Sequence, residues 1–337
     1  MTKDLRHLAA TVAVALAGAA LAALAGIPAG PLLGSTLAVA ALAATGRPVG
    51  LPNRLRDLAF ATIGISLGTG IDERFVDHLG TWAASLALLV ASLVATILVG
   101  RAVLKRGFGL DAETATLAST PGTLSNAIAI ASDGHGDATA VMFLQVMRLL
   151  FLVIAVPPLA IALDGSASGT ATVAPAMSVV LFAALLVVST TLGLLGSRAG
   201  VPAASLLAGM LVSAFGHATG LTQGSAPSWA IFVAFAITGA VLSARLTRVS
   251  ADKAKRYALA GVSIVATSLV ISFAFALIAQ ATTGLSLAQV WIAYAPGGVE
   301  AMAAIGLSLG YDPAYVAVHH FARIFALLLI VPVVLRL

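Results

Sequence analysis

Two arginines stand where arginine is costly. Arg148 lies inside the apolar run at 138 to 163, and Arg323 inside the run at 313 to 335. Each is 11 residues past an aspartate, Asp137 or Asp312. At 1.5 Å rise that distance is about 16 Å, close to half of a roughly 30 Å hydrocarbon core. A guanidinium at that depth needs an anionic partner, a cage of carbonyls or a water-filled cavity. Its chemistry is therefore anion recognition, or else a fixed internal ion pair that ties the chain together. One helical turn earlier stand Gln145 and His320, which share a face with Arg148 and Arg323. They either extend an anion site or satisfy the surroundings of the arginine. His319 points about 100° away and reads as a packing or interface histidine.

A second group of polar residues sits inside apolar runs around two Pro-Gly pairs. In the first, Ser119 and Thr120 precede Pro121 and Gly122, and Thr123, Ser125 and Asn126 follow. In the second, Pro296, Gly297 and Gly298 lead to Glu300. Proline lacks the N–H and glycine relaxes the backbone, so each pair interrupts a helix. The second half of an interrupted helix presents unpaired N–H groups and the positive end of a dipole, which favour negative charge. Glu300 is the only acid at membrane depth in either run. It is suited to pair with an arginine or to carry a proton, and its protonation would then free that arginine for an anionic solute.

These residues belong to a duplicated frame. The stretch from Ser119 to Pro157 and the stretch from Tyr294 to Pro332 align without a gap, 175 positions apart. They share the Pro-Gly pair, the aspartate, the arginine and a terminal proline. Both aspartates precede an apolar run and read as helix N-caps; Pro313 follows the second at the favoured first position. A further pair, GIPAGPLLGSTLA at 26 to 38 and GVPAASLLAGMLV at 200 to 212, opens each half. Small residues around a first-turn proline suit close helix packing, or a contact with solute.

The elements that position all this are membrane helices. Of the 337 residues 60% are hydrophobic and 9% charged, against about 25% charged in soluble domains. Backbone groups in lipid must be satisfied internally, and the runs show no alternation, so the spans are helical. Twelve apolar runs occur, six in each half. If all twelve cross, Lys and Arg divide nine inside and seven outside. If the two Pro-Gly runs re-enter instead, ten cross, fifteen basic residues lie inside and only Arg74 outside. The positive-inside rule prefers ten crossings. Five crossings in each half then invert the second half, at 165–337, relative to the first, at 1–164. The opening residues, with Lys3 and Arg6 ahead of an Ala/Leu core, resemble a leader. The corresponding run at 171 to 196 is internal, so Leu8 to Gly26 reads as the first span.

The expected fold is thus an all-α integral membrane protein. It has two inverted-topology repeats, about ten transmembrane helices and two re-entrant or broken Pro-Gly segments. The formal charge of +5 is spread over short loops and reads as topology rather than nucleic-acid binding. With no cysteine, thiolate metal sites are absent.

The paired GxPAxxLL segments, and STPG and APGG followed by an aspartate and then an intramembrane arginine, resemble the bacterial AbrB membrane-protein family. The resemblance covers nearly the whole chain. It implies a multi-pass protein of the bacterial inner membrane, and the family carries the labels ammonia monooxygenase and regulator of gene expression. The first copy departs in reading PGTLSN, where the second reads PGG followed closely by an acid.

The leading expectation is a secondary transporter or exporter for a small anionic or zwitterionic organic solute. Its site is formed by Ser119, Thr120, Pro121, Gly122, Thr123, Ser125, Asn126, Gln145, Arg148, Pro296, Gly297, Gly298, Glu300, His320 and Arg323, with both termini cytoplasmic. The alternative is a membrane regulator that acts indirectly on gene expression, since no helix-turn-helix or long basic helix lies outside the membrane. Enzymatic activity, a metal and a cofactor are not expected, because the six histidines are scattered and neighbouring His319 and His320 diverge on a helix. The expected partners are the solute and the bilayer, with room for a homodimer and no direct nucleic-acid contact.

Overall fold

Side chains this apolar leave the backbone no water to bond, and the chain answers with helices throughout. The computed structural model describes residues 3–70, 75–121, 124–164, 175–245 and 251–336. The side chains of residues 3, 4, 75–79, 81, 124–126 and 251–255 stand outside that description. Among the described residues there are fourteen helices. In chain order they are α1 (Lys3–Leu24), α2 (Gly30–Ala44), α3 (Asn53–Gly68), α4 (Phe75–Phe108), α5 (Ala112–Ser119), α6 (Leu124–Ser132) and α7 (Ala138–Asp164), then α8 (Val179–Arg198), α9 (Ala204–Ala218), α10 (Ser228–Ala244), α11 (Ala251–Thr283), α12 (Leu287–Tyr294), α13 (Val299–Ser308) and α14 (Pro313–Leu335).

Six of them, within α1, α4, α7, α8, α11 and α14, are long and apolar enough to cross a bilayer. The chain is accordingly a multi-pass helical membrane protein. The apolar helices α2, α9 and α10 have 15 to 17 residues, short of the roughly 20 that a straight crossing takes. Both Pro-Gly runs are broken: α5 stops at Ser119 and α6 begins at Leu124, while α12 stops at Tyr294 and α13 begins at Val299. Proline disfavours the helical region for the residue before it. Thr120 and Ala295 are the residues affected, at ψ 117° and 131°.

The chain divides into two compact units, and each draws on both halves of the sequence. The first comprises Met1–His78, Gly165–Thr247 and Ala303–Ala317; the second comprises Leu79–Asp164, Arg248–Met302 and Val318–Leu337. In the first unit α3 packs on α9, and α2 on α1 and α10. The α3 to α9 approach leaves no room for side chains: a Cβ on Gly64 would fall on the Leu206 carbonyl, and one on Gly209 on the Ala61 carbonyl. The GIPAG and GVPAA segments also turn alike. Ala29 and Ala203 both sit in the left-handed region, at φ 51° and 50°. Each offers its carbonyl to two N–H groups of the following turn, those of Leu32 and Leu33 in one case and Leu206 and Leu207 in the other.

In the second unit α7 is the spine, and α5, α6, α11 and α12 pack against it. One apolar cluster gathers Leu104, Ala118, Phe143, Leu144 and Ile264. Another joins Leu93, Leu117, Ala131 and Val141 to Leu327 and Val331 of α14.

Candidate functional site

Both arginines and the four helix ends flanking the two breaks lie in the second unit. The starts of the helices that carry the arginines are fixed as expected. The Asp137 carboxylate accepts from Thr139 N at 2.8 Å and Ala140 N at 3.1 Å. That of Asp312 accepts from Ala314 N at 2.8 Å and Tyr315 N at 3.3 Å. Asp137 also accepts from the Tyr257 hydroxyl at 3.2 Å.

Arg148 and Arg323 are completely buried. Among the described residues no carboxylate comes within ion-pair distance of either, because the ion pairs found are Arg56 with Asp57 and His135 with Glu113. The fixed ion pair considered from the sequence is therefore replaced by a cage of carbonyls. Arg148 donates to Thr120 O at 3.0 Å and Ala118 O at 3.4 Å. Arg323 donates to Ala295 O and Gly297 O, both at 2.6 Å. These carbonyls lie at or just past the ends of α5 and α12, toward the negative end of each helix dipole; Ala295 O also accepts from Gly297 N at 2.8 Å. A guanidinium, planar and always charged, suits both the carbonyls and the dipole. Hydrogen bonds to a charged group contribute about 1.5–3 kcal/mol each, which offsets the several kcal/mol that burying the ion costs.

The residues one turn before the arginines behave differently. Proline at 121 withholds the N–H that would have bonded the Leu117 carbonyl. Gln145 Nε2 donates to that carbonyl at 2.8 Å, and Gln145 Oε1 accepts from Arg148 at 3.0 Å. The amide thus closes the first break. Proline at 296 withholds the N–H due to the Ile292 carbonyl, and His320 stands where Gln145 stands. Its ring approaches the Ile292 carbonyl without reaching hydrogen-bonding geometry, and both ring nitrogens are buried with no partner. The Ile292 carbonyl accepts instead from Ala295 N at 3.3 Å, a bond that N–H shares with Trp291 O. The Nε–H of Arg148 and of Arg323 is likewise buried and unpartnered.

The remaining residues singled out from the sequence divide. Ser119 and Thr120 are buried, and their hydroxyls donate back to Ala115 O and Thr116 O at 2.6 and 2.9 Å. Pro121, Pro296 and Gly297 are buried, while Gly298 and Glu300 are partly exposed. The Glu300 carboxylate lies beside Gly298, and its charge is felt at Arg323. Gly122 and Thr123 lie outside the described residues, as do the side chains of Ser125 and Asn126.

A further buried cluster was not anticipated as part of a site. His319 Nε2 is 2.8 Å from Ser85 Oγ, and the Tyr294 hydroxyl donates to the Ser85 carbonyl. The Tyr294 and His319 rings stack with centroids 6.0 Å apart. Packing was the expected role of His319, and the cluster joins α4, α12 and α14 beside the second break. The sequence carried a faint signal, a tyrosine abutting the second Pro-Gly and one of two serines in an apolar span. Among the described residues no three His, Asp or Glu side chains gather as a metal-binding group.

Comparison with known proteins bears on the whole chain. A family model described as "Transition state regulatory protein AbrB" matches residues 1–83 and 32–337. A protein of Bacillus subtilis (strain 168), described as "Uncharacterized protein YhjN", is 27% identical over 356 residues, which cover 97% of this chain and 91% of the relative. One of Escherichia coli (strain K12), described as "Putative regulator AbrB", is 25% identical over 321 residues, which cover 92% of this chain and 90% of the relative.

Proposed function

The chain belongs to the AbrB family, and on that premise we propose that it is a secondary transporter, of exporter type, for a small anionic or zwitterionic organic solute in the bacterial inner membrane. The observation that carries this reading is the pair of buried guanidiniums. Each is held by carbonyls at a broken helix, with its Nε–H unpartnered and, among the described residues, no carboxylate at ion-pair distance. A protein needing arginine only as a clamp has cheaper solutions than two mid-depth cations, because unpaired charge in the membrane is costly and commonly marks a solute pathway. Broken helices near the midplane are the usual device by which transporters bind ions and solutes. In this reading the two halves are inverted repeats crossing about ten times, both termini are cytoplasmic, and the Pro-Gly segments with Arg148 and Arg323 form the site. The regulatory role in the description of the family model would then follow indirectly from the solute moved.

Proteoliposome flux tests the proposal. Purified protein is reconstituted and given a radiolabelled panel of small carboxylates and amino acids. Saturable uptake by the wild type that falls at least about tenfold in Arg148→Lys and Arg323→Lys supports it. Equal flux in wild type, both variants and empty vesicles for the whole panel contradicts it.

A further inference from the structure

The two breaks are built to one plan and finished differently, and the difference lies at His320. Resting on the transport reading, we propose that the second break takes the solute's carboxylate, at the open edge of Arg323 and at His320, and that His320 takes up a proton as the anion binds.

The second break leaves buried polar groups unmet. A neutral imidazole carries one N–H donor and one acceptor nitrogen. In His320 both are buried without a partner, and leaving a buried polar group unmet costs about 1–3 kcal/mol. One turn along the same face, the Nε–H of Arg323 is buried and unmet as well. Two donors on one face therefore lack acceptors. A carboxylate supplies two acceptor oxygens and a negative charge close to both donors. At the first break the Nε–H of Arg148 is unmet too, but in the place of His320 stands Gln145, which gives its N–H to Leu117 O and accepts from Arg148 with its oxygen.

Proton uptake follows from the charges nearby. Arg323 and His319 on α14 are the charged and titratable groups that act on His320 itself; beyond them Tyr294 on α12 lies against His319, and Glu300 on α13 and Arg148 on α7 are near enough to Arg323 to interact with its charge. No carboxylate reaches ion-pair distance of Arg323 among the described residues. An imidazolium one turn from that guanidinium would set two cations together in a dry interior, so without an anion beside it the ring stays neutral. A bound carboxylate reverses the balance, since the anion then lies against both. The ring nitrogen gains a proton and becomes a second N–H donor to the carboxylate, and the acid bound is in sum neutral. Linkage requires the converse too, so that protonation tightens anion binding by the same factor. Glu300, expected from the sequence to pair with an arginine or to carry a proton, is partly exposed and lies beside Gly298.

The test is calorimetric. Acetate, propionate, succinate and glutarate are titrated into the purified full-length protein between about pH 5 and 8, where histidine titrates. Two buffers of different ionisation enthalpy give the number of protons taken up for each anion bound. The expected result is uptake of up to about one proton in the wild type, falling as pH rises through the pKa of the anion-bound ring, with affinity weakening over the same interval. In His320→Gln affinity falls about tenfold and proton uptake disappears. Ring-labelled histidine spectra of the unaltered chain give the same reading without a substitution, through movement of one buried imidazole to the imidazolium position when carboxylate is added. Carboxylate binding with no proton uptake, or with uptake unchanged in His320→Gln, overturns this inference and leaves the transport reading standing. Absence of binding by every carboxylate at every pH overturns the anion site itself, and the inference with it.

Discussion

The first broken helix and the second are the same construction with one part exchanged. In both, proline ends a half-helix, an aspartate starts the neighbouring long helix, and an arginine 11 residues on returns to the broken end. In the first, Gln145 fills the vacancy that proline makes and bonds the arginine besides. In the second, His320 fills nothing. The shared residues are those that build geometry, and the exchanged one is a group that changes charge. The two breaks share one frame, and the exchange at one position leaves the second with a buried imidazole in place of a bonded amide.

Several substitutions break or sharpen this comparison. The largest effects belong to the arginines, because losing either strands carbonyls in an apolar interior. Arg148→Ala and Arg323→Ala should each destabilise the protein by about 3–5 kcal/mol, read as a loss of monodisperse protein in detergent or a fall in its unfolding midpoint. Next comes the exchange of the two divergent residues. Gln145→His removes two buried hydrogen bonds and should cost about 1–3 kcal/mol. His320→Gln offers the Ile292 carbonyl an amide and should leave stability within about 0.5 kcal/mol or raise it. Equal losses from the two exchanges would mean that the second break is as closed as the first.

The aspartate caps come third. Asp312→Ala should cost about 1 kcal/mol, and Asp137→Ala somewhat more, since Asp137 also holds the Tyr257 hydroxyl; thermal unfolding of both variants in one detergent reads the order. The smallest effect concerns the left-handed alanines. Ala29→Gly and Ala203→Gly each relieve about 1 kcal/mol of backbone strain and restore a similar freedom to the unfolded chain. Net changes under about 0.5 kcal/mol, equal in the two, are expected in the same melts.

Much of the frame was legible because it rests on local rules. Proline must stop a helix at the residue before it, and it does so at Thr120 and Ala295. Aspartate before an apolar run caps it, as Asp137 and Asp312 do. Burial of Arg148 and Arg323 followed from their place in the runs, and a cage of carbonyls was among the partners their depth required. What escaped notice depends on contacts between elements far apart in the chain. Hydropathy cannot say that Gln145 reaches Leu117 while His320 falls short of Ile292, because an i, i+3 face fixes direction and not partner. Ser85 is 209 residues from Tyr294, and nothing local ties them. Nor does a repeat boundary near 164 foretell two compact units that each take helices from both halves. A duplicated sequence records ancestry, while a compact unit records which surfaces pack.

On the proposed mechanism the solute's carboxylate meets Arg323 and His320 at the second break, while Arg148 and the first break line the rest of the site. Carboxylate affinity, measured calorimetrically side by side in Arg148→Lys and Arg323→Lys after both are shown to be monodisperse, tests it most directly. A loss at Arg323→Lys at least about tenfold greater than at Arg148→Lys is predicted. Equal losses, or a greater loss at Arg148→Lys, would contradict it.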